Sequence, residues 1–256
     1  MRPAISAAPP GTDGIRLSVI VPLAPGEPAG QQLFAQLARL PAGTEVIVVR
    51  ADGGAGPLLP PAGPGPVFRD LATAPGRAGQ MNAGARLARG SWLWFLHADS
   101  RMLPDTLDGL LAFLARDQPA LGYFNLHFDD GPWRMRLNAW GANRRSRWLG
   151  LPFGDQGLLM PAALFAECGG YDESAAYGED HLLVWRARAL GVRPVPVGAA
   201  LGTSARKYVQ LGWWRTSWRH VRLTVAQAWP QWRGRHRSDA SRGGSDGWGA
   251  GRTSVP

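Results

Sequence analysis

Four short stretches put carboxylates or a histidine where chemistry could be done. SWLWFLHADS, residues 91–100, carries five large apolar side chains in its first six positions and then ends on His97, Ala98, Asp99 and Ser100. TEVIVVR at 44–50 runs out into Asp52-Gly53-Gly54. A carboxylate just past a buried strand either accepts hydrogen bonds from a ligand or closes a turn, and an Asp-Gly pair suits a turn. GDQG at 154–157 supplies Asp155 and Gln156, and GED at 178–180 puts Glu179 and Asp180 in the first turn of a helix. Acidic residues there complement the helix dipole, and a carboxylate can also take a proton as a general base. In GRAGQMNAGARLARG, Arg77 with Ala78 and Gly79 opens a helix whose unpaired N–H groups could meet a phosphate, and Asn82 lies one turn further in.

The elements that must position these groups follow from periodicity. RLSVIVP at 16–22 and TEVIVVR at 44–50 are β-branched runs, with the helically spaced QQLFAQLARL between them. After a Pro/Gly-rich loop to about residue 66 come a weak strand VFRDLA, the helix that begins near Arg77 and the strand that ends at His97. Strands alternating with helices predict a mostly parallel sheet covered on both faces. Ligands of such sheets sit beyond the carboxyl ends of the strands, and Asp52, His97 and Asp99 all follow such ends. The apolar strand 91–96 is then a buried central one, and its polar exit faces the crevice.

Composition bounds the rest. The chain has 256 residues, enough for one substantial core. Its one cysteine, Cys168, excludes an intramolecular disulfide and a cysteine-rich zinc site and favours a reducing compartment. The start MRPAISAAPPGTDG lacks the apolar run of a signal peptide, and no apolar stretch reaches membrane-span length. The expected location is cytoplasmic, with peripheral contact at the inner face of a membrane as an option. The net charge of +9 rests on arginine, Lys207 being the only lysine. Beyond Gly202 the chain is rich in arginine and tryptophan. The expected organisation is a disordered segment 1–15, an α/β domain 16–205, a basic Trp-rich helical extension 206–233 and a disordered tail 234–256.

Taken in order, VIVP, Asp52-Gly53-Gly54, GRAGQMNAGARLARG, HADS, GDQG, GED and TSARK resemble glycosyltransferase family 2 of the GT-A fold. HADS in place of Asp-x-Asp, with GDQG and TSARK, resembles a narrower bacterial subgroup, the radical-SAM/selenodomain-associated transferase 2, also described as an arsenosugar biosynthesis glycosyltransferase. The resemblance spans residues 16 to about 230. It implies an inverting transfer of sugar from a nucleotide-sugar donor to an unknown acceptor, with Mn²⁺ or Mg²⁺ as cofactor. Asp99 inherits the metal-ligand role, and His97 stands where a ribose-contacting aspartate would be. Asp52, Arg77 and Asn82 join them in holding the donor, with Arg206 and Lys207 closing over the diphosphate. Asp180 is implied as the base that takes the acceptor proton, with Glu179 orienting it. Asp155 and Gln156 are assigned to the acceptor, Asp155 being the reserve base. No specific nucleic acid is expected as a partner. A sugar-phosphate nucleotidyltransferase is disfavoured, because PLAPGEPAG after the first strand lacks the Gly-rich, Arg-containing loop of that class. A non-catalytic module of the same fold, binding lipid or nucleic acid through its Trp-rich end, is the alternative.

Overall fold

A computed structural model of the chain describes residues 14–24, 30–52, 59–116, 118–175 and 177–205. Residues 1–13 of the expected segment 1–15, Gly53-Gly54, Arg206 and Lys207, and the expected segments 206–233 and 234–256 lie outside these residues. The described chain forms one eight-stranded sheet flanked by helices on both faces. Its elements are β1 (Leu17–Leu23), α1 (Gly30–Leu37), β2 (Thr44–Ala51), β3 (Val67–Thr73), α2 (Arg77–Leu87), β4 (Trp92–Phe95), β5 (Ser100–Met102) and α3 (Thr106–Ala115). There follow β6 (Leu121–Phe128), α4 (Met135–Leu149), a 3₁₀ turn (Gly154–Gln156), β7 (Leu159–Pro161), α5 (Ala162–Glu167), α6 (Glu179–Ala189) and β8 (Pro194–Thr203).

The strand order is β3-β2-β1-β4-β7-β6-β8-β5. Strands β3, β2, β1 and β4 run parallel, as do β6 and β8. The short β7 is antiparallel to both β4 and β6, and β5 is antiparallel to β8. The sheet is therefore mixed and mostly parallel, as the alternation of periods predicts. The expected strands agree with β1, β2, β3 and β4. The short β5 and β7 carry too few residues for a period to show.

β1 is buried along its whole length because its two faces meet two different cores. Leu17, Val19 and Val21 pack with Val46, Val48, Trp92 and Trp94 and with α1 and α3. Ile20 packs with Ile47, Val49, Leu93 and Phe95 against Met81 of α2 and Leu183 and Val184 of α6. A strand covered on both sides reads as a continuous apolar run, which is what VIVP and WLWF are.

Two residues seat α2 against the carboxyl edge of this sheet. The buried Gln80 donates its side-chain amide to the carbonyls of Leu23 and Val49, both at 2.8 Å, so the ends of β1 and β2 are stitched to the first turn of the helix. One turn on, Gly84 lies so close to the sheet that an added Cβ would stand 2.6 Å from Ile20 and 3.0 Å from Val49. Gly84→Leu gains helix propensity of under about 1 kcal/mol but overpacks this contact, so it should lower stability by roughly 1–3 kcal/mol. Denaturant melts read the change, and an unchanged midpoint would show that α2 is not held this closely.

Candidate active site

Arg77 is the first residue of α2, and it leaves the helix at the carboxyl edge of the sheet. Its Nε donates to Glu179 Oε1 at 2.5 Å and its Nη2 to Asp180 Oδ2 at 2.9 Å. Its Nη1 stands 3.3 Å from His97 Nε2. One guanidinium thus joins the start of α2, the exit of β4 and the start of α6, with 102 residues of chain between Arg77 and Glu179. Both carboxylates are buried, whereas the Arg77 side chain is 38% exposed. The planar fork of arginine suits such a paired contact, because it presents several donors in fixed directions.

The carboxylates occupy these positions because of how α6 begins. Gly178 takes the left-handed conformation at φ 76°, and the helix then opens on Glu179 and Asp180. Two like charges side by side would repel, and Arg77 together with the positive end of the helix dipole offsets that cost. Burial works against the Arg77 charge, but Asp180 and Glu179 outweigh it and hold the guanidinium above its ordinary value. Asp180 moves the other way. Burial pushes its carboxyl up to about 6, Arg77 opposes that, and the charges of Glu179 and Asp155 add to it.

The loop 153–157 covers Asp180 from the opposite side. A Cβ placed on Gly154 would stand within 2.7 Å of both carboxylate oxygens, so only glycine lets the loop lie on this group. The loop is held by its neighbours. Phe153 is stacked by His181 and Arg145, with the His181 ring centroid at 3.7 Å and the Arg145 guanidinium at 3.4 Å. Gln156 is fully buried, accepts from Ser146 Oγ at 2.6 Å and donates to the Phe124 carbonyl at 3.1 Å. Its amide is therefore engaged by the fold, which the expectation of an acceptor contact did not include. Asp155 is half-buried and close enough to act on Asp180 electrostatically.

The other expected site residues distribute along the same edge. Asn82 donates to the Tyr171 carbonyl at 2.9 Å and to Glu173, and accepts from the Tyr171 N–H at 2.9 Å. It clamps α2 to the segment before α6. Asp52 is exposed at the end of β2, where its N–H donates to the Thr73 carbonyl. Asp99 is half-buried in the turn from β4 to β5, closed by Ser100 N–H to the His97 carbonyl at 3.0 Å. The structure brings Arg77, His97, Glu179 and Asp180 into contact. It leaves Asp52 and Asp99 at the ends of β2 and β4, with β1 between those strands. Sequence reasoning missed Gln80 and Tyr171. Tyr171 is buried beside the ion cluster, with a hydroxyl that has no hydrogen-bond partner among the described residues. Burial, then the charge of Asp180, holds its pKa well above the ordinary value.

Among the described residues no three His, Cys, Asp or Glu side chains converge to hold a metal ion. A lone carboxylate such as Asp99 fits a hard cation only where a ligand's phosphate oxygens and water complete the shell, an arrangement magnesium favours.

This arrangement, a parallel sheet whose carboxyl edge gathers the polar groups, decides the fold. It is GT-A. Residues 63–169 match the family model for glycosyl transferase family 2. The matched segment takes in Arg77, His97, Asp99 and the 153–157 loop and stops before Glu179 and Asp180. Among solved structures, S. aureus TarS 1-349 is 20% identical, with a TM-score of 0.55 over 75% of this chain and 61% of that one. TarS 1-349 in complex with UDP-GlcNAc is 18% identical, with a TM-score of 0.52 over 74% of this chain and 58% of that one. The mannosyltransferase PcManGT from Pyrobaculum calidifontis, in complex with GDP-Man and Mn²⁺, is 17% identical, with a TM-score of 0.53 over 80% of this chain and 61% of that one. The chain spans about three fifths of the length of these GT-A structures. A search of curated proteins returns no match.

If Arg77 restrains the basicity of Asp180, Arg77→Met should move the Asp180 titration to pH values above about 6. Carbon NMR of the labelled carboxyl reads this directly. The same change should cost roughly 1–3 kcal/mol of stability, less than for a fully buried pair because the guanidinium is partly solvated. A titration that stays near pH 6 would show that the guanidinium does not set it.

Proposed function

We propose that this chain is a glycosyltransferase that moves a sugar from a nucleotide-sugar donor to an acceptor hydroxyl with inversion at the anomeric carbon. The observation that carries the reading is Asp180, a buried carboxyl raised to about 6 by burial and kept ionisable by Arg77, at the edge of a GT-A sheet. The complexes of TarS with UDP-GlcNAc and of PcManGT with GDP-Man support a nucleotide-sugar donor.

In this reading the acceptor oxygen attacks the anomeric carbon while the bond from that carbon to the diphosphate oxygen breaks. The acceptor proton passes to Asp180, and Arg77 and Glu179 hold that carboxyl in place. Gly154 lies on the carboxylate, so this reading requires the 153–157 loop to give way before the hydroxyl can reach Asp180. Asp52 and His97, at the ends of β2 and β4, face the nucleoside half of the donor. Asp99 would hold a divalent cation together with the donor's phosphates, and that cation would neutralise the departing charge. The Mn²⁺ in the PcManGT complex supports this choice. The family resemblance assigns Arg206 and Lys207, which lie outside the described residues, to the diphosphate. Membership of the bacterial subgroup marked by HADS, a cytoplasmic location, and membrane contact through segment 206–233 complete the reading. No helix among the described residues is long and apolar enough to cross a membrane.

One observation favours a second reading, a non-catalytic GT-A module. Glu179, Asp180 and Arg77 form a closed cluster that would stabilise the fold even without a substrate. Turnover separates the two. Asp180→Asn keeps the shape and loses the basicity, so transfer should fall by roughly a hundredfold to ten-thousandfold with donor affinity little changed. Asp155→Asn is the comparison for the reserve base. In the wild type only ionised Asp180 accepts the proton, so the rate should rise with pH through about 6 and level off above it. A rate independent of pH from 5 to 8, with Asp180→Asn fully active, would refute the base assignment.

Donor binding is tested apart from turnover. Calorimetric titration with UDP and GDP should show binding that needs Mn²⁺ or Mg²⁺ and weakens in Asp99→Ala. Equal binding in EDTA, with Asp99→Ala unaffected, would remove Asp99 as the metal ligand.

A further inference from the structure

Helix α4 has two unlike faces. Inward, Met135 and Ser146 are buried, and Asn143 bonds both the N–H and the carbonyl of Leu126 in β6, at 2.7 and 3.1 Å. Outward, Leu137, Trp140, Trp148 and Leu149 stand exposed, joined by Trp133 in the turn just before the helix, and Trp133 and Trp148 show 68% and 67% of their surface. Their positions, with Arg144, follow the three- and four-residue steps of one helical stripe. Arg144 lies over both Trp140 and Trp148, 4.5 and 4.3 Å from the ring centroids. Arg134, Arg136 and Arg147 are exposed beside the stripe, and no Asp or Glu occurs from Gly131 to Leu149.

Exposed tryptophans in a row are uncommon on a surface that meets only water. Charge decides what covers them. Segment 206–233 also has no carboxylate and would bring arginine against arginine, and so would the same face of a second copy. An anionic surface relieves that charge. A negatively charged bilayer offers, at one depth, headgroups for the arginines and an interfacial layer that suits tryptophan and leucine. The arginine stacked between two indoles keeps its charge outward while the rings point into that layer.

We propose that the outer face of α4 is a docking surface for an anionic lipid bilayer. The surface is made of described residues alone, and segment 206–233 lies outside them. Its inner face carries Ser146 and Arg145, which hold the 153–157 loop over Asp180. Docking therefore brings the helix that backs this loop, and with it that wall of the site, close to the membrane, which, resting on the transferase reading, points to an acceptor hydroxyl carried by a membrane lipid.

The test uses the full chain without donor, so its outcome does not depend on turnover. Sedimentation with vesicles of phosphatidylcholine mixed with phosphatidylglycerol should carry the protein down, and vesicles of phosphatidylcholine alone should carry much less. Arg136→Gln with Arg144→Gln should weaken the partition to anionic vesicles by roughly thirtyfold, and Trp133→Ala with Trp140→Ala and Trp148→Ala should weaken it as well. Circular dichroism and thermal melts of both variants should match the wild type, since every substituted side chain is exposed. Vesicle binding at the wild-type level in both variants overturns the proposal. So does binding abolished only by Trp213→Ala with Trp214→Ala and Trp218→Ala. So does a concentration-dependent dimer, or retention by single-stranded RNA, that the α4 changes remove while vesicle binding is absent.

Discussion

The contact between Arg77 and the paired carboxylates of Glu179 and Asp180 is the constraint around which the site is built. Two acidic side chains at adjacent positions, both buried, would destabilise the start of α6 if they had no cation. The cation must come from outside the helix, because the nearest basic residues of α6, Arg186 and Arg188, lie in its last turn. It comes from α2, and it arrives in register because α2 is fixed at two depths. Gln80 ties its first turn to the ends of β1 and β2, and Gly84 lets its second turn press onto Ile20 and Val49. A sliding α2 would carry Arg77 off the carboxylates, so the packing of a glycine on the sheet and the electrostatics of the site are one problem.

The opposite wall depends on different physics. The loop 153–157 is short and crosses a buried carboxylate, and the Gly154 N–H bonds that carboxylate, so loop backbone and Asp180 satisfy part of each other. Gln156 adds to this from within, accepting from the Phe153 N–H and the Ser146 hydroxyl and donating to the Phe124 carbonyl. Further along the sheet edge, Asp130 accepts from the Ser204 hydroxyl at 2.9 Å and from the Ala205 N–H, fixing where the chain leaves β8. A Cβ on Gly202 would collide with Asp129, so the same exit is also close-packed. The site thus lies between two fixed strand exits, with its charged residues on helix starts and its covering loop pinned from behind.

How much of this was legible in the sequence depended on whether the signal was local. The strands VIVP, TEVIVV and WLWF and the helix from Arg77 announce themselves by period and agree with β1, β2, β4 and α2. The polar exits at Asp52, His97 and Asp99 follow from the rule on parallel sheets. Glu179 and Asp180 were visible as a helix start, but their partner was not, because a contact across 102 residues leaves no local trace. Arg77 looked like a phosphate ligand for the same reason: its helix start was in view and the facing helix was not. Asn82 and Gln156 stand out as polar residues near a motif, and the sequence does not show the partners the structure gives them: the Tyr171 backbone for Asn82 and the Phe124 carbonyl for Gln156. Gln80 and Gly154 carried a signal only in retrospect, a polar residue on a buried helical face and a glycine that the turn alone does not need.

The value of about 6 at Asp180 reflects two demands that pull against each other. An aspartate left in water is a weak base, and burial strengthens it by penalising the charged form. Burial, with Glu179 and Asp155 nearby, raises its pKa. Arg77 limits that rise. With a pKa near 6, about nine-tenths of the carboxyl is ionised at pH 7, and it is still a stronger base than an exposed aspartate. The geometry also accounts for the cation being an arginine. Its fork reaches Glu179 through Nε and Asp180 through Nη2 at once, leaving Asp180 Oδ1 outside that pairing. A lysine in its place would bring one charged nitrogen to one point and could not hold both carboxylates in the same geometry.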